Sequence, residues 1–528
     1  IQSGGEFSAN GTGNGNTRVT INHSGNINVT GGNFSISRGT QGGTGTTTWN
    51  LNGNFLISNA ATENSNPSGA KFLFTGTQVH NLTIGEGNTM TALPVEIDSG
   101  AILNMGTSEL KGSGIFRLQP GATLYSGHPD GLNGNLKNTG TITLSNQAGY
   151  GFSGTASQVT GDMLPEQVEN LILNNNAGIT LSKSVTVNGM VDVKKEGFSP
   201  GAFQLIYGPE AALSYSGATA MSTSDIEFPA QGGPKNLIID NSSSSGITLH
   251  ASRTIAGNLL LSGKFRLGDN NFTASAADKV GTTDYAITDG TGSLILTDVG
   301  TTEKFFPVGA TGYAPVWITN SGDVDTVAVR VEADLQALPE GGRVRAKWIL
   351  NEAAGGGGNY TLKFGWAAQL EDGTFRKDRA ANAGIFLLGS DTTEAGSGSY
   401  TTQFTTAPYS VSRGGITSLG SFGVGKFGDI TAGVDGKEVI PSKFNLSQNY
   451  PNPFNPTTQI NYSLAQSGYI SLKVFNLLGQ EVATLFEGFQ QKGNYSAIFE
   501  GSRLATGIYI YRLTAGNFTD IKKAMLLK

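Results

Sequence analysis

Cysteine is absent from the 528 residues, which excludes disulfides, thiolate nucleophiles, iron–sulfur clusters and cysteine zinc sites together. Histidine is scarce as well: the four that occur are scattered, so the reading expects no metal site and no cofactor. Charged residues make up 14% of the chain against a usual ~25%. Lys and Arg (34) are outnumbered by Asp and Glu (40), for a net charge of −6, and a chain without a basic footprint is not expected to bind nucleic acid. No run of about 18 apolar residues occurs, so no helix is expected to span a membrane. Helical spacing is hard to find in the first 300 residues, where Ala, Leu, Glu and Lys are never concentrated as a helix needs. The opening IQSGGEFSANGTGNG has neither a basic start nor an apolar run, so an export leader is expected to have been removed or to lie outside this sequence.

What the chain does contain is glycine, asparagine, serine, threonine and short alternating segments. Gly (76) and Pro (17) together are about 18% of the residues, below the roughly 25–30% of unstructured low-complexity chains. The length predicts several folded domains rather than one core. Segments such as Thr17 to Ile21, Asn33 to Ser37 and Thr47 to Leu51 place β-branched or aromatic residues on one side of a two-residue period. The fold class is therefore read as all-β.

Internal repeats sharpen that reading for residues 1–300. VHNLTIGEGN, VENLILNNNAGITL and PKNLIIDNSSSSGITL each lead a strand with an Asn-Leu pair and follow it with a polar turn. Their anchors Asn81, Asn170 and Asn236 stand 89 and 66 residues apart, which fits several rungs of roughly 20–25 residues between them. Units of that size cannot bury their apolar faces alone and must stack. A parallel β-helix (solenoid) of on the order of a dozen rungs about 4.8 Å apart satisfies this, with inward Val, Ile, Leu and Phe and with Gly and Asn at the corners. The alternative is a row of small β-sandwiches.

The texture changes beyond residue 300. Residues 301–428 carry longer alternating strands, and Trp317, Trp348 and Trp366 follow a region holding only Trp49. This part is read as a β-sandwich domain, with Gly355 to Gly358 as a flexible connector. A polar stretch, residues 429–443, reads as a linker.

The most specific segment is FNLSQNYPNPFNPTTQINYSL, Phe444 to Leu464. Its prolines would break a helix or a central strand, so Pro441 through Pro456 is expected to run as an extended connector. Alternating strands follow in YISLKVFNLLGQEV, GNYSAIFEG, LATGIYIYRLTAG and KKAMLLK, with Tyr509 and Tyr511 on one face and Ile508 and Ile510 on the other. Some seven strands suggest a small immunoglobulin-like sandwich over residues 444–528. This stretch closely resembles the type A C-terminal sorting domain of type IX secretion cargo, in whose order the quoted motifs fall. The resemblance assigns sorting-signal roles to Asn449, Tyr450, Pro451, Asn452, Pro453, Phe454, Asn455 and Pro456, and to Gly507, Tyr509, Lys522 and Lys523. It implies an outer-membrane translocon as partner and a sortase-like peptidase that cuts between Asp429 and Ser442. It places the chain outside, or on the outer surface of, a Gram-negative cell. The first 300 residues resemble, less specifically, the β-helical passengers found upstream of such domains.

Chemistry-bearing motifs are few. His128-Pro129-Asp130-Gly131 reads as a turn rather than a catalytic pair, and Asp323 with Asp325 as a solvated turn rather than a calcium site. Trp317 and Trp366 are candidate contacts for extracellular glycans, although aromatics on alternating strands more often form core. No catalytic residue is assigned. The expectation is a non-enzymatic structural protein, a surface fibre or a head-to-tail homo-oligomeric filament in which the terminal sandwich of one subunit offers strands to the uncapped solenoid end of the next. An adhesin or glycan-binding protein is the alternative, and a polysaccharide-degrading enzyme the second alternative.

Overall fold

A computed structural model describes residues 6–8, 18–37, 46–64, 70–85, 88–90, 93–333, 342–354, 358–388, 393–426, 444–466, 468–490, 493–516 and 518–527. The linker 429–443, with its expected cleavage site, and most of the Gly355 to Gly358 connector lie outside the described residues. The chain divides into two compact units, Ile1–Ile430 and Thr431–Lys528.

Over residues 47–309 the first unit winds as a parallel β-solenoid of about 11 turns, and Arg18–His23 pairs in parallel ahead of it. Its early rungs show the repeat most plainly. Arg18–His23, Ile27–Val29 and Gly32–Ser37 recur as Thr46–Leu51, Phe55–Ile57 and Ala60–Asn64, so each rung gives one strand to each of three faces. Each strand pairs in parallel with its equivalent in the next rung. One face continues unbroken as a 13-stranded sheet, a stack about 50 Å long at the spacing of neighbouring strands. Asn170, Met190, Ala212 and Asn236 share one column of that sheet. Asn81 lies on the same sheet, aligned through Asn104, Tyr125 and Gly151 with Ile172. The anchors thus mark equivalent strands, and the offset of two residues keeps the same residues facing inward.

Inside, Phe34, Trp49, Phe55 and Phe72 pack ring against ring with centroids 5.0–5.9 Å apart. Leu213, Leu237 and Leu259 continue the filling rung after rung. Outside, Asn104 Nδ2 donates to Asn81 Oδ1 across a rung (2.9 Å), as Asn50 does to Asn22 (2.7 Å). Amide ladders of this kind tie successive rungs beyond their backbone bonds. Gly246 shows why corners select glycine: its φ is +69°, and a Cβ there would lie 2.1 Å from the Lys264 carbonyl oxygen.

Residues 304–426 form two antiparallel sheets, as expected of a sandwich, and these carry on from the solenoid. Leu294–Val299 pairs in parallel with Phe272–Ala274 on one edge and antiparallel with Asp325–Glu332 on the other. Beyond the end of that pairing, Thr288 Oγ1 takes over: it accepts from Val331 N (2.8 Å) and lies 3.0 Å from Val331 O. Trp348 and Phe364 meet across the two layers, centroids 5.0 Å apart, and Trp348 Nε1 donates to Ala314 O (3.0 Å). One hydrophobic cluster therefore runs from Val29 to Val424. At the C-terminal end the antiparallel sheet takes the edge of one face, that of Leu294–Val299. At the N-terminal end, Arg18–His23 and Ile27–Val29 are the outermost strands of their sheets among the described residues.

The all-β class holds, with helix confined to short pieces. Gly373–Asn382 is one that alternation alone did not signal. Its Arg379 pairs with the buried Glu371, which also accepts from Trp366 Nε1 (2.9 Å). Among the described residues no helix is long and apolar enough to cross a membrane.

Among the described residues the second unit has seven strands in two sheets. Asn445–Leu446, Thr457–Leu464 and Gly493–Glu500 form one; Glu481–Gln490, Gly468–Phe475, Gly507–Ala515 and Phe518–Leu526 form the other. Leu472, Val474, Tyr511 and Leu513 fill its separate core.

Candidate functional site

In the second unit the Asn-Tyr-Pro segment belongs to the packed domain instead of running free as a connector. Asn449 is buried; its N–H donates to Tyr511 Oη (2.8 Å), and its Nδ2 donates to Thr458 Oγ1 (3.0 Å) and Pro451 O (3.1 Å). Tyr511 Oη donates onward to Ser447 O (2.8 Å), and burial pushes its pKa up to about 12. Phe454 is buried against Phe499, while its N–H donates to Met525 O (2.8 Å) and its carbonyl accepts from Leu527 N (3.0 Å). Asn452 Oδ1 accepts from Met525 N (2.8 Å). Prolines shape this geometry: lacking N–H groups, Pro451, Pro453 and Pro456 break the ladder, and Asn452 and Phe454 between them clasp the end of the final strand.

The two motifs at opposite ends of the domain therefore form one structure. Gln448 Nε2 (2.6 Å) and Asn452 Nδ2 (3.3 Å) both donate to the main-chain carbonyl of Lys523, so this position serves through its backbone. Lys522 Nζ lies 3.9 Å from Asp520. Gly507 opens its strand opposite Leu526, and Tyr509 Oη donates to Ala505 O (2.7 Å). Tyr509 and Tyr511 share the buried face and Ile508 the exposed one, as the alternation requires. Tyr450 is 83% exposed, the one aromatic of the motif left open to a partner. Asn455 follows Phe454 as an exposed residue before Pro456.

In the first unit Trp366 is wholly buried, ringed by Phe375, Phe404 and Tyr409. That corrects its reading as a glycan contact: no face of the ring reaches solvent, because its strand turns it into the sandwich core. Trp317 is only half-buried, with Phe305 stacked on it (5.2 Å) and Lys363 Nζ 4.1 Å from its ring centre. Asp325 is also buried, accepting from Tyr360 Oη, so it is a core hydrogen-bond acceptor and not a solvated turn residue. His128 and Asp130 do form a turn, with Asp130 N donating to His128 Nδ1 (3.1 Å).

One polar cluster on the solenoid went unread in the sequence, since its members are brought together only by rung stacking. Thr223 Oγ1 lies 2.6 Å from His250 Nδ1, and His250 Nε2 lies 3.2 Å from Asp225. The order resembles a nucleophile, base and acid, but Arg253 Nη2 stands 2.7 Å from His250 Nε2. Arg253 Nη2 also pairs with Asp225, so the guanidinium and the imidazole share one carboxylate, which the arginine already neutralises. Neighbouring Glu227 is likewise committed, accepting from Tyr215 Oη (2.8 Å) and Ser224 N (2.6 Å). Among the described residues no group of three His, Asp or Glu side chains gathers as a metal-holding set.

Comparison with known families places one region. The family described as "Secretion system C-terminal sorting domain" matches residues 448–527, the span of the clasped sandwich. No curated protein and no solved structure matches the chain.

Proposed function

We propose that this chain, which its type IX sorting domain directs to the outside or outer surface of a Gram-negative cell, serves there as a non-enzymatic structural rod. The observation that carries the reading is the unbroken core and sheet from the solenoid into its antiparallel cap. A body in which each rung is braced by both neighbours resists bending and local opening, and its length follows from rung number. Engagement of the secretion machinery falls to the sorting domain, and removal of that domain by a sortase-like peptidase between residues 429 and 442 completes the reading.

The test is deletion of one rung in register, Leu171 through Met190, which brings Val191 into the place of Leu171. A structural rod shortened this way remains folded and exported, and electron micrographs show it shorter by about 5 Å. Release of reducing ends or unsaturated sugars from a polysaccharide panel by the intact chain, lost on the deletion, contradicts the proposal.

A further inference from the structure

A groove of about 740 Å³ on the outer surface of the 13-stranded sheet, close to the cap, has no assigned role. Its volume falls within the roughly 300–1,000 Å³ of small-ligand sites. The floor consists of two columns of outward side chains. Asn236 and Asn258 flank one rung step in the first, Ile238 and Leu260 in the second. Glu303 and Phe305 come from the segment that leads into the cap and form the wall. That wall is fixed: Lys304 Nζ donates to Ser275 O (2.7 Å), and Trp317 stacks behind Phe305 at an interplanar angle of 27°.

We propose that this groove binds a chain of neutral hexopyranose units. Asn236 Oδ1 accepts from Asn258 N (2.9 Å), while Asn258 Oδ1 lies 3.3 Å from Ser275 Oγ, whose hydrogen it shares with Gly257 O (3.0 Å); neither Nδ2 has a protein acceptor among the described residues. These donors repeat one rung apart, about 4.8 Å, close to the advance of one residue in an extended hexose chain. Phe305, Ile238 and Leu260 suit the C–H faces of pyranose rings, and Glu303 offers acceptors to hydroxyls. Charge selects against acidic sugars: Asp278 and Glu303 line the groove, and its one ammonium, on Lys304, is already held by a carbonyl. A peptide is disfavoured because the floor is a sheet face whose backbone groups are paired within the ladder, leaving no edge to extend. The inference is independent of the structural role, since a rod can fail to bind sugar and a binder need not be rigid.

Titration calorimetry of the full chain with oligosaccharides from cellulose, mannan and chitin, and with an oligogalacturonate as the acidic control, tests it. Saturable binding of at least one neutral oligomer is expected, accompanied by a change in tryptophan emission that Trp317→Phe removes without loss of affinity. Asn258→Ala, on an exposed side chain, weakens binding about five- to tenfold, the loss of one hydrogen bond. Ala276→Arg, which fills the groove, abolishes it while the circular dichroism spectrum is retained. Three results overturn the proposal: no saturable binding of any neutral oligomer, preference for the oligogalacturonate, or unchanged affinity in Ala276→Arg. Displacement of bound sugar by an extended apolar peptide of higher affinity overturns it as well, in favour of a peptide site.

Discussion

Lys264 meets Tyr285 across a rung step, and burial against that ring, whose centre lies 3.3 Å from its Nζ, lowers its pKa to about 8. The unfolded chain then holds that proton more tightly than the folded one, so stability rises as the pH climbs from about 8 towards the unfolded value near 10.4. Thermal melts of wild type and Lys264→Met across this window should show a rise in Tm with pH that the variant lacks. Contacts of this kind were not legible in the sequence: alternation put Trp366 on a strand but could not say which face was covered, since that depends on Phe375 and Phe404 from other segments. The same blindness hid Thr223, Asp225, His250 and Arg253, which are brought together by stacking of rungs. In the sorting domain, Asn449→Ala removes the amide that donates to Thr458 Oγ1 and Pro451 O, leaving those two only their bond to each other, and should cost about 1–3 kcal/mol in urea unfolding of that unit.

Secondary-structure elements were more legible. The two-residue period, the Asn-Leu strand leads and the glycine corners are local consequences of a rung, so the solenoid could be read before its register was known. Tyr509 and Tyr511 were assigned correctly for the same reason. The Asn-Tyr-Pro segment was not, because prolines announce only a missing ladder; what fills the gap is a strand some 70 residues away. The join between solenoid and cap was equally silent. Thr288 carries much of it, and Thr288→Val removes the partner of Val331 N–H and C=O together. A loss of about 2–4 kcal/mol is expected, counted as two buried groups left unpaired. Leu259→Ala, within a rung, should cost about 2–5 kcal/mol through the cavity it leaves, and urea titration of both variants measures these losses.

For the molecule as a whole, export and rigidity are separable properties held by separate units. Removing residues 448–527 should leave the protein folded and retained inside the cell, as fractionation with an antibody to the solenoid will report. Rigidity rests on the claim that rungs and antiparallel cap are one cooperative body, and hydrogen exchange of the intact chain in rising denaturant tests it most directly. The amides of Leu259 and Leu261 in the rungs, of Leu294 and Leu296 at the join, and of Val327 and Val329 in the cap should lose protection together, at a single free energy. Early exchange across 325–426 while the rungs stay protected would mean two independent bodies, and the continuous rod would have to be given up.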